Sequence, residues 1–205
     1  MLTISKKKSI QLGWRLYQRM GEAAWTTKSG RNYTVRMATG QDLPLLADLL
    51  TGLSADSRFL RFLSPVPAFT PERAEHIVRK LWLANSWPTQ VLLATVLEEA
   101  VEKVVGLGEL HINPQNAASA DFALLVRDEW QGQGIGSLLL DRLTALAARR
   151  DITTLRSEIH PYNRAMRKVL SRQSLPVNFK FENGTMEVEI NLAGTVEELR
   201  GIKAL

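Results

Sequence analysis

Residues 126–137 read Val126-Arg127-Asp128-Glu129-Trp130-Gln131-Gly132-Gln133-Gly134-Ile135-Gly136-Ser137. They connect a short apolar stretch, typical of a strand, to a segment whose apolar residues recur on one face of a helix. Three alternate glycines leave backbone N–H groups unshielded at the start of that helix, where the helix dipole favours anions. The pattern therefore predicts a loop that holds a phosphate group.

A dinucleotide-binding turn is the nearest alternative for this loop. Its fingerprint is G-x-G-x-x-G directly after a strand, but Ser137 occupies the place of the third glycine and five residues separate Val126 from Gly132. Glu158 ends the next predicted strand at a distance that suits a ribose-binding acid, which keeps the alternative open. The chain before residue 120 reads as antiparallel strands and not as repeated βαβ units, which disfavours it.

The loop resembles the acetyl-CoA loop of the GNAT superfamily of N-acetyltransferases, whose pattern Q/R-x-x-G-x-G/A stands here as Gln131-Gly132-Gln133-Gly134-Ile135-Gly136. The resemblance runs from about residue 25 to 192 and is greatest to the domains that acetylate lysines on acyl-CoA synthetases. The matching segments are Tyr33-Thr34-Val35-Arg36 with Asp42, Ser57-Arg58-Phe59-Leu60-Arg61-Phe62, Asp121-Phe122-Ala123-Leu124-Leu125-Val126 and Asn163-Arg164-Ala165-Met166.

The resemblance implies the GNAT fold, in the α/β (α+β) class. That fold has a mixed, mostly antiparallel central sheet flanked by helices. The sheet splays between the fold's fourth and fifth strands, which correspond here to residues 120–126 and 154–159.

The resemblance also implies which residues bind acetyl-CoA, the co-substrate. The pantetheine arm would hydrogen-bond to backbone at the end of the fold's fourth strand, and the pyrophosphate would rest on the glycine loop. Asn163 would reach the cofactor from the mouth of the gap, and it is equally suited to be a helix N-cap. The implied cofactor-binding residues are Leu124, Leu125, Val126, Gln131, Gly132, Gln133, Gly134, Ile135, Gly136, Ser137 and Asn163.

Acetyl transfer to an amine needs a base that takes the amine proton. In the lysine-modifying relatives this base is usually a glutamate at the position of Asp121, so Asp121 is the first candidate, with a side chain one methylene shorter. Glu109, on the neighbouring predicted strand, is the rival, because partial burial is expected to raise its pKa towards the working range. A salt bridge to a nearby arginine is the alternative role of either carboxylate.

The proton for the leaving thiolate has no obvious donor. Many GNAT enzymes use a tyrosine seven residues after the position of Asn163, and this chain has Leu170 there. Tyr162 lies close in sequence but on the wrong side of the helix cap. We therefore expect water or the departing ammonium to supply this proton.

The composition of the chain excludes several kinds of functional site. The chain has 205 residues, a net charge of +5 and no cysteine, which excludes disulfides, thiolate metal sites and a cysteine nucleophile. The three histidines, His76, His111 and His160, lack metal-ligand spacing and are interpreted as surface or strand-end residues, so no metal is expected. No apolar run approaches the length of a membrane span. These features predict a cytoplasmic protein with no membrane partner.

The positive charge is concentrated at the N-terminus. Residues 1–32 hold seven Lys or Arg and one acid, Glu22, whereas the rest of the chain carries 19 basic and 20 acidic residues. Residues 1–24 are therefore predicted to be a basic, helical extension, followed by the acetyltransferase domain at 25–193 and a short tail at 194–205. A helix packed on its own domain or on a partner subunit is favoured, which leaves a homodimer open, and nucleic acid is not expected as a partner.

Two functions follow from this reasoning. The first is transfer of the acetyl group of acetyl-CoA to a primary amine, in a small molecule or on a protein lysine. The second is a catalytically weak module that binds acetyl-CoA as a sensor or regulator. The predicted phosphate loop is common to both.

Overall fold

The computed structural model describes residues 24–84 and 89–197. The strands in this part are β1 (Ala24–Thr26), β2 (Asn32–Met37), β3 (Thr89–Glu98), β4 (Val101–Ile112), β5 (Ser119–Val126), β6 (Thr154–Ile159), β7 (Val177–Glu182) and β8 (Thr185–Asn191). The helices are α1 (Leu43–Thr51), α2 (Ala55–Phe62), α3 (Pro71–Ala84), α4 (Ile135–Ala148) and α5 (Arg164–Leu170). Short 3-10 turns lie at Gly40–Asp42 and Asp128–Trp130.

The strands form one sheet in the order β1-β2-β3-β4-β5-β6-β8-β7. Every neighbouring pair is antiparallel except β5 and β6. These two strands pair in parallel at only three positions, from Ser119 with Thr154 to Asp121 with Arg156, and then separate. The prediction of a mixed, mostly antiparallel sheet flanked by helices is confirmed, and the strands at 120–126 and 154–159 splay apart.

Helices cover both faces of the sheet. On one face α4 lies across β4 and β5, and its approach depends on two glycines of β4. A Cβ at Gly106 would lie 2.9 Å from Ile135 Cγ2, and one at Gly108 would lie 3.2 Å from Leu143 Cδ1. On the other face α1 and α3 enclose a second core with Leu93, Leu107 and other apolar strand residues. The packing of α4 on the sheet therefore positions the glycine loop at the start of this helix.

Arg142 of α4 is buried although it is charged. Its charge suggests a position off the apolar face, but it follows Ile135 by seven residues, so the helical period places it on that face, and only 3% of it is exposed. The β1–β2 hairpin covers this side of the helix, so that the Arg142 guanidinium carbon lies 5.1 Å from the centre of the Trp25 ring. The aromatic ring therefore offers the buried guanidinium a favourable contact.

Asp42 anchors the segment between β2 and α1. Its carboxylate accepts hydrogen bonds from Arg36 Nη1 and Nη2 at 2.9 and 2.6 Å and from Thr39 N at 2.7 Å. The Arg36 guanidinium holds the pKa of the Asp42 carboxyl below its usual range, against the opposing effect of burial. Asp42 precedes α1 but makes no side-chain cap for that helix. It is instead the acidic member of a capping box with Thr39.

We expect Asp42→Asn to lower the free energy of unfolding by about 3 kcal/mol at neutral pH, because Arg36 would lose its nearly buried partner. Since the pKa of Asp42 is depressed in the folded state, its stabilisation is present above the pKa of the unfolded chain. It is lost as the pH falls through the folded value, so the difference between the two proteins should shrink below about pH 4. Urea unfolding across pH measures this.

Asp48→Asn is the matched control for that experiment. Asp48 also pairs with an arginine, Arg127, but its side chain is 55% exposed, so removing its charge should cost less than about 1 kcal/mol. Equal losses in the two variants would contradict the structural role assigned to Asp42.

Several predictions made from the sequence concern residues outside the described ranges. The predicted basic helix at residues 1–24 lies there except for Ala24, the first residue of β1. Of the predicted tail at 194–205, residues 194–197 are described, and Val196 is 1% exposed within the larger core. Among the described helices, none is long and apolar enough to cross a membrane.

Candidate active site

The glycine loop begins where β5 ends. Gly132 and Gly134 have φ angles of +72° and +99°, and a Cβ at either would meet no atom within 4 Å. Positive φ favours glycine, and the open space in front of both residues leaves their backbone accessible. Gly134 is the N-cap residue of α4. The loop therefore presents backbone N–H groups at a helix N-terminus, an arrangement that suits a phosphate.

The inner side of the loop is tied to α2. Gln131 Nε2 donates hydrogen bonds to Val126 O and to Ser57 Oγ, both at 3.1 Å. Asp128 accepts from Ser54 Oγ at 2.6 Å and from Ser57 Oγ at 2.8 Å. These bonds fix the N-terminus of α2 against the end of β5. The glutamine of the family pattern thus has a structural role in addition to its place in the loop.

The outer side of the loop is tied to the turn of the β1–β2 hairpin. Lys28 N donates to Gln133 O at 3.4 Å, and Ser29 N donates to Gln133 Oε1 at 3.2 Å. Arg31 donates to Glu129 O at 3.0 Å and stacks over the Trp130 ring, with its guanidinium carbon 3.5 Å from the ring centre. We call these contacts the hairpin brace.

A narrow channel of about 170 Å³ runs from the glycine loop along the end of β5, with residues of α2 and α5 on its other sides. Ten of the eleven implied cofactor-binding residues line it, namely Leu124, Leu125, Val126, Gln131, Gly132, Gly134, Ile135, Gly136, Ser137 and Asn163. Gln133 does not, because its side chain is held by the hairpin brace. Lys168 and Arg172 also line the channel, and they bring positive charge close to the loop.

A larger cleft of about 950 Å³ lies at the gap itself, lined by residues of both β5 and β6. Asp121, the last residue of β5 that pairs with β6, lines it and is exposed. The rest of the cleft is formed by α2, β6, β7 and β8, with several acidic side chains such as Glu158 and Glu187. The channel and the cleft adjoin, since they share lining residues, and a carboxylate lies close to the point where the strands separate.

Glu109, the second candidate base, lines neither the channel nor the cleft. Its Oε2 lies 2.5 Å from Arg61 Nη2 and 3.7 Å from His111 Nε2. Burial alone would raise the pKa of Glu109, but His111 and Arg61 outweigh it and hold the pKa of this carboxyl below its usual value. The expectation of a raised pKa is therefore wrong, because the sequence does not show that Arg61 packs against this strand.

Asn163 is the N-cap of α5, where its Oδ1 accepts a hydrogen bond from Met166 N at 2.9 Å. It also lines both the channel and the cleft, so the two roles considered for it are compatible in space. Leu170, at the position of the family's tyrosine, is 1% exposed. Neither tyrosine in the described residues, Tyr33 or Tyr162, lines the channel or the cleft.

The sequence alone indicates no role for two side chains that lie near the point where β5 and β6 separate. Arg61 lies in the segment from Ser57 to Phe62, which the family resemblance marked as matching but did not explain. His111, interpreted as a strand-end residue, is the register partner of Asp121 on β4 and contacts Glu109. Residues two apart on a strand share a face, so Glu109 and His111 lie on one face of the sheet. Asp121 lies on the same face because it is the register partner of His111. Across residues 24–84 and 89–197, no His, Asp or Glu cluster forms a metal site.

Comparisons with known proteins agree with this geometry. A family model described as an acetyltransferase (GNAT) domain matches residues 32–173. The GNAT domain of S. lividans PAT is 25% identical with a TM-score of 0.67, over 83% of this chain and 97% of that one. A cAMP-binding acyltransferase from Mycobacterium smegmatis is 22% identical with a TM-score of 0.56, over 93% of this chain and 54% of that one. An N-acetyltransferase from Staphylococcus aureus Mu50 is 17% identical with a TM-score of 0.54, over 78% and 96%. The last two show likeness of fold alone.

Proposed function

Because the chain belongs to the GNAT acetyltransferase domain family, we propose that it is an N-acetyltransferase that moves the acetyl group of acetyl-CoA to a primary amine. One observation carries the proposal. The sheet opens after Asp121 and Arg156, and the cleft at this opening, which contains a carboxylate, adjoins a channel that starts at the glycine loop.

The residues of the channel fit acetyl-CoA. A Cβ at Gly132 or Gly134 would meet no atom within 4 Å, so open space lies beside the backbone of the loop, as a pyrophosphate requires. Beyond Asp121, the edge of β5 that faces β6 pairs with no strand among the described residues, so its backbone is available to an extended amide-containing arm. Lys168 and Arg172 can pair with phosphate charge. When bound, acetyl-CoA supplies the acetyl thioester.

Asp121 is proposed as the base. In the overall reaction the amine nitrogen forms a bond to the acetyl carbon, the carbon–sulfur bond breaks, and the electron pair leaves with sulfur. The protonated acceptor loses two protons in all. Asp121 takes the first, directly or through a water molecule, which frees the nitrogen lone pair for attack, and the second leaves the ammonium that the attack forms. The exposed position of Asp121 at the cleft favours this role over Glu109, which is engaged by Arg61. Since no tyrosine of the described residues reaches the channel, the leaving thiolate is expected to take its proton from water or from the departing ammonium.

A protein lysine is the proposed acceptor class, with a small-molecule amine as the alternative. The sequence resemblance to domains that acetylate lysines on acyl-CoA synthetases supports the protein lysine, and the width of the cleft is compatible with a side chain entering on a larger partner. The proposal retains a cytoplasmic location and leaves a homodimer open, as expected from the sequence.

An assay of acetyl transfer from acetyl-CoA distinguishes the proposed enzyme from a catalytically weak acetyl-CoA sensor. We expect free CoA thiol to accumulate, and acetylated product to be detected by mass spectrometry, when the full chain meets a panel of small amines and lysine-containing proteins. Tight binding of acetyl-CoA in calorimetry, without acetylation of any acceptor in the panel, would instead favour the sensor.

A further inference from the structure

The channel and the cleft meet at a small set of residues. Both are lined by Leu60, Arg61, Leu124, Asn163 and Met166. If the proposed function holds, the thioester arrives through the channel and the amine through the cleft, so the reacting atoms must lie at this junction. Only Arg61 and Asn163 are polar there. The side-chain oxygen of Asn163 is already bonded to Met166 N.

Arg61 is the charged member of this set, and an ion pair with Glu109 holds its side chain in position. Its Nη2 lies 2.5 Å from Glu109 Oε2, and Glu109 is only 16% exposed on the face of β4 that meets α2. A guanidinium carries five N–H donors, so this ion pair engages only part of the group. The remaining donors belong to a side chain that lines both chambers.

The ionisation of Glu109 is consistent with a supporting role. Its pKa lies below the usual value because His111 and Arg61 outweigh the effect of burial, so it is an anion at neutral pH and a poor proton acceptor. A partly buried ion pair of this kind holds a cation in one orientation. A fixed cationic donor is most useful where negative charge develops during a reaction.

The geometry points to Arg61 as a catalytic residue that donates a hydrogen bond to the acetyl carbonyl oxygen, with Glu109 as the positioning residue that aims it. This inference rests on the proposed function. When the amine nitrogen bonds to the acetyl carbon, the carbonyl electrons move onto oxygen, where Arg61 stabilises them. They return as the carbon–sulfur bond breaks and the thiolate leaves, Asp121 having taken the first amine proton before the attack.

Infrared spectroscopy of bound [1-¹³C]acetyl-CoA, with no acceptor present, tests the contact without turnover. In the parent protein we expect the carbonyl stretch at a lower wavenumber than in free acetyl-CoA, because a charged donor weakens the carbonyl bond. Arg61→Met keeps a similar length without the donors and should return the band towards the free value. Arg156→Met is the matched control, since Arg156 lines the cleft but not the channel, and its spectrum should match the parent.

Kinetics give a second readout. We expect Arg61→Met to lower kcat by about 100-fold, as for the loss of one donor to a developing oxyanion, with an unchanged KM for acetyl-CoA and no recovery at alkaline pH. Arg61→Lys should recover part of the loss. Glu109→Gln should lower kcat less, and the double variant should be no slower than Arg61→Met, because Glu109 acts through Arg61.

Three results would overturn the inference. The first is a parent spectrum that shows no shift from free acetyl-CoA. The second is an Arg61→Met spectrum identical to that of the parent. The third is loss of acetyl-CoA binding in both Arg61 variants while they remain folded by circular dichroism, which would make Arg61 a binding residue. A shifted carbonyl band with no acetylation of any amine would instead contradict the proposed function and leave the contact established.

Discussion

Gly134→Asp should abolish the stabilisation of the fold by CoA. A ligand that binds only the native state raises the melting temperature, and Gly134 lies in the loop proposed to hold the pyrophosphate. The substitution places a negative charge in the open space before the loop and forces an L side chain to a φ of +99°. The loss of two charge-assisted hydrogen bonds, each about 1.5 to 3 kcal/mol, weakens binding by about 100-fold or more. Differential scanning fluorimetry with and without CoA measures this.

Gly184→Asp is the control for strain. Gly184 has a φ of +83°, and a Cβ there would also meet nothing within 4 Å, but it lies in the β7–β8 turn, away from the loop. Both variants should lose a similar amount of intrinsic stability, and only Gly134→Asp should lose the response to CoA. If Gly134→Asp retained the full response, the phosphate site would lie elsewhere.

Asp121→Asn should lower turnover by about 100- to 10,000-fold at neutral pH, the range that a general base contributes. The substitution preserves size and removes basicity. We expect little change in the affinity for acetyl-CoA, because Asp121 lines the cleft and not the channel. Part of the rate should return at alkaline pH, where the acceptor amine is already neutral. Rates measured from pH 6 to 10 with a saturating acceptor test this.

Asp121→Glu separates basicity from side-chain length. The lysine-modifying relatives usually carry glutamate here, so this variant should retain most of the activity that Asp121→Asn loses. The pH profile also distinguishes Asp121 from Glu109. A loss in Glu109→Gln that alkaline pH does not recover fits a positioning residue. Equal activity of Asp121→Asn and the parent at every pH would remove Asp121 from the mechanism.

The features that could be predicted from the sequence are those that local chemistry determines. Gly30 and Asn183-Gly184 are residues that tolerate positive φ and so predict tight turns, and both turns have positive φ in the structure. Thr70-Pro71-Glu72 is a start signal for a helix, and α3 begins at Pro71. The glycine loop could also be predicted, because its pattern lies within twelve consecutive residues that follow directly on a short apolar strand.

The features that could not be predicted depend on residues far apart in the chain. The pKa of Glu109 is lowered in part by Arg61, 48 positions earlier. The side chain of Gln133 turns away from the channel because Ser29, 104 positions earlier, binds it. No local sequence pattern indicates either contact. If only the burial of Glu109 on its own strand is considered, its pKa is expected to rise, whereas in the structure it is lowered.

The hairpin brace has a consequence for synthesis of the protein. Its two halves, the turn at residues 27–31 and the loop at 129–133, are separated by about 100 residues. At a translation rate of about 5 to 20 residues per second, the hairpin is made several seconds before the loop that it holds. The matched family region starts at residue 32, so a fragment cut at that boundary would lose the brace while keeping every glycine of the loop.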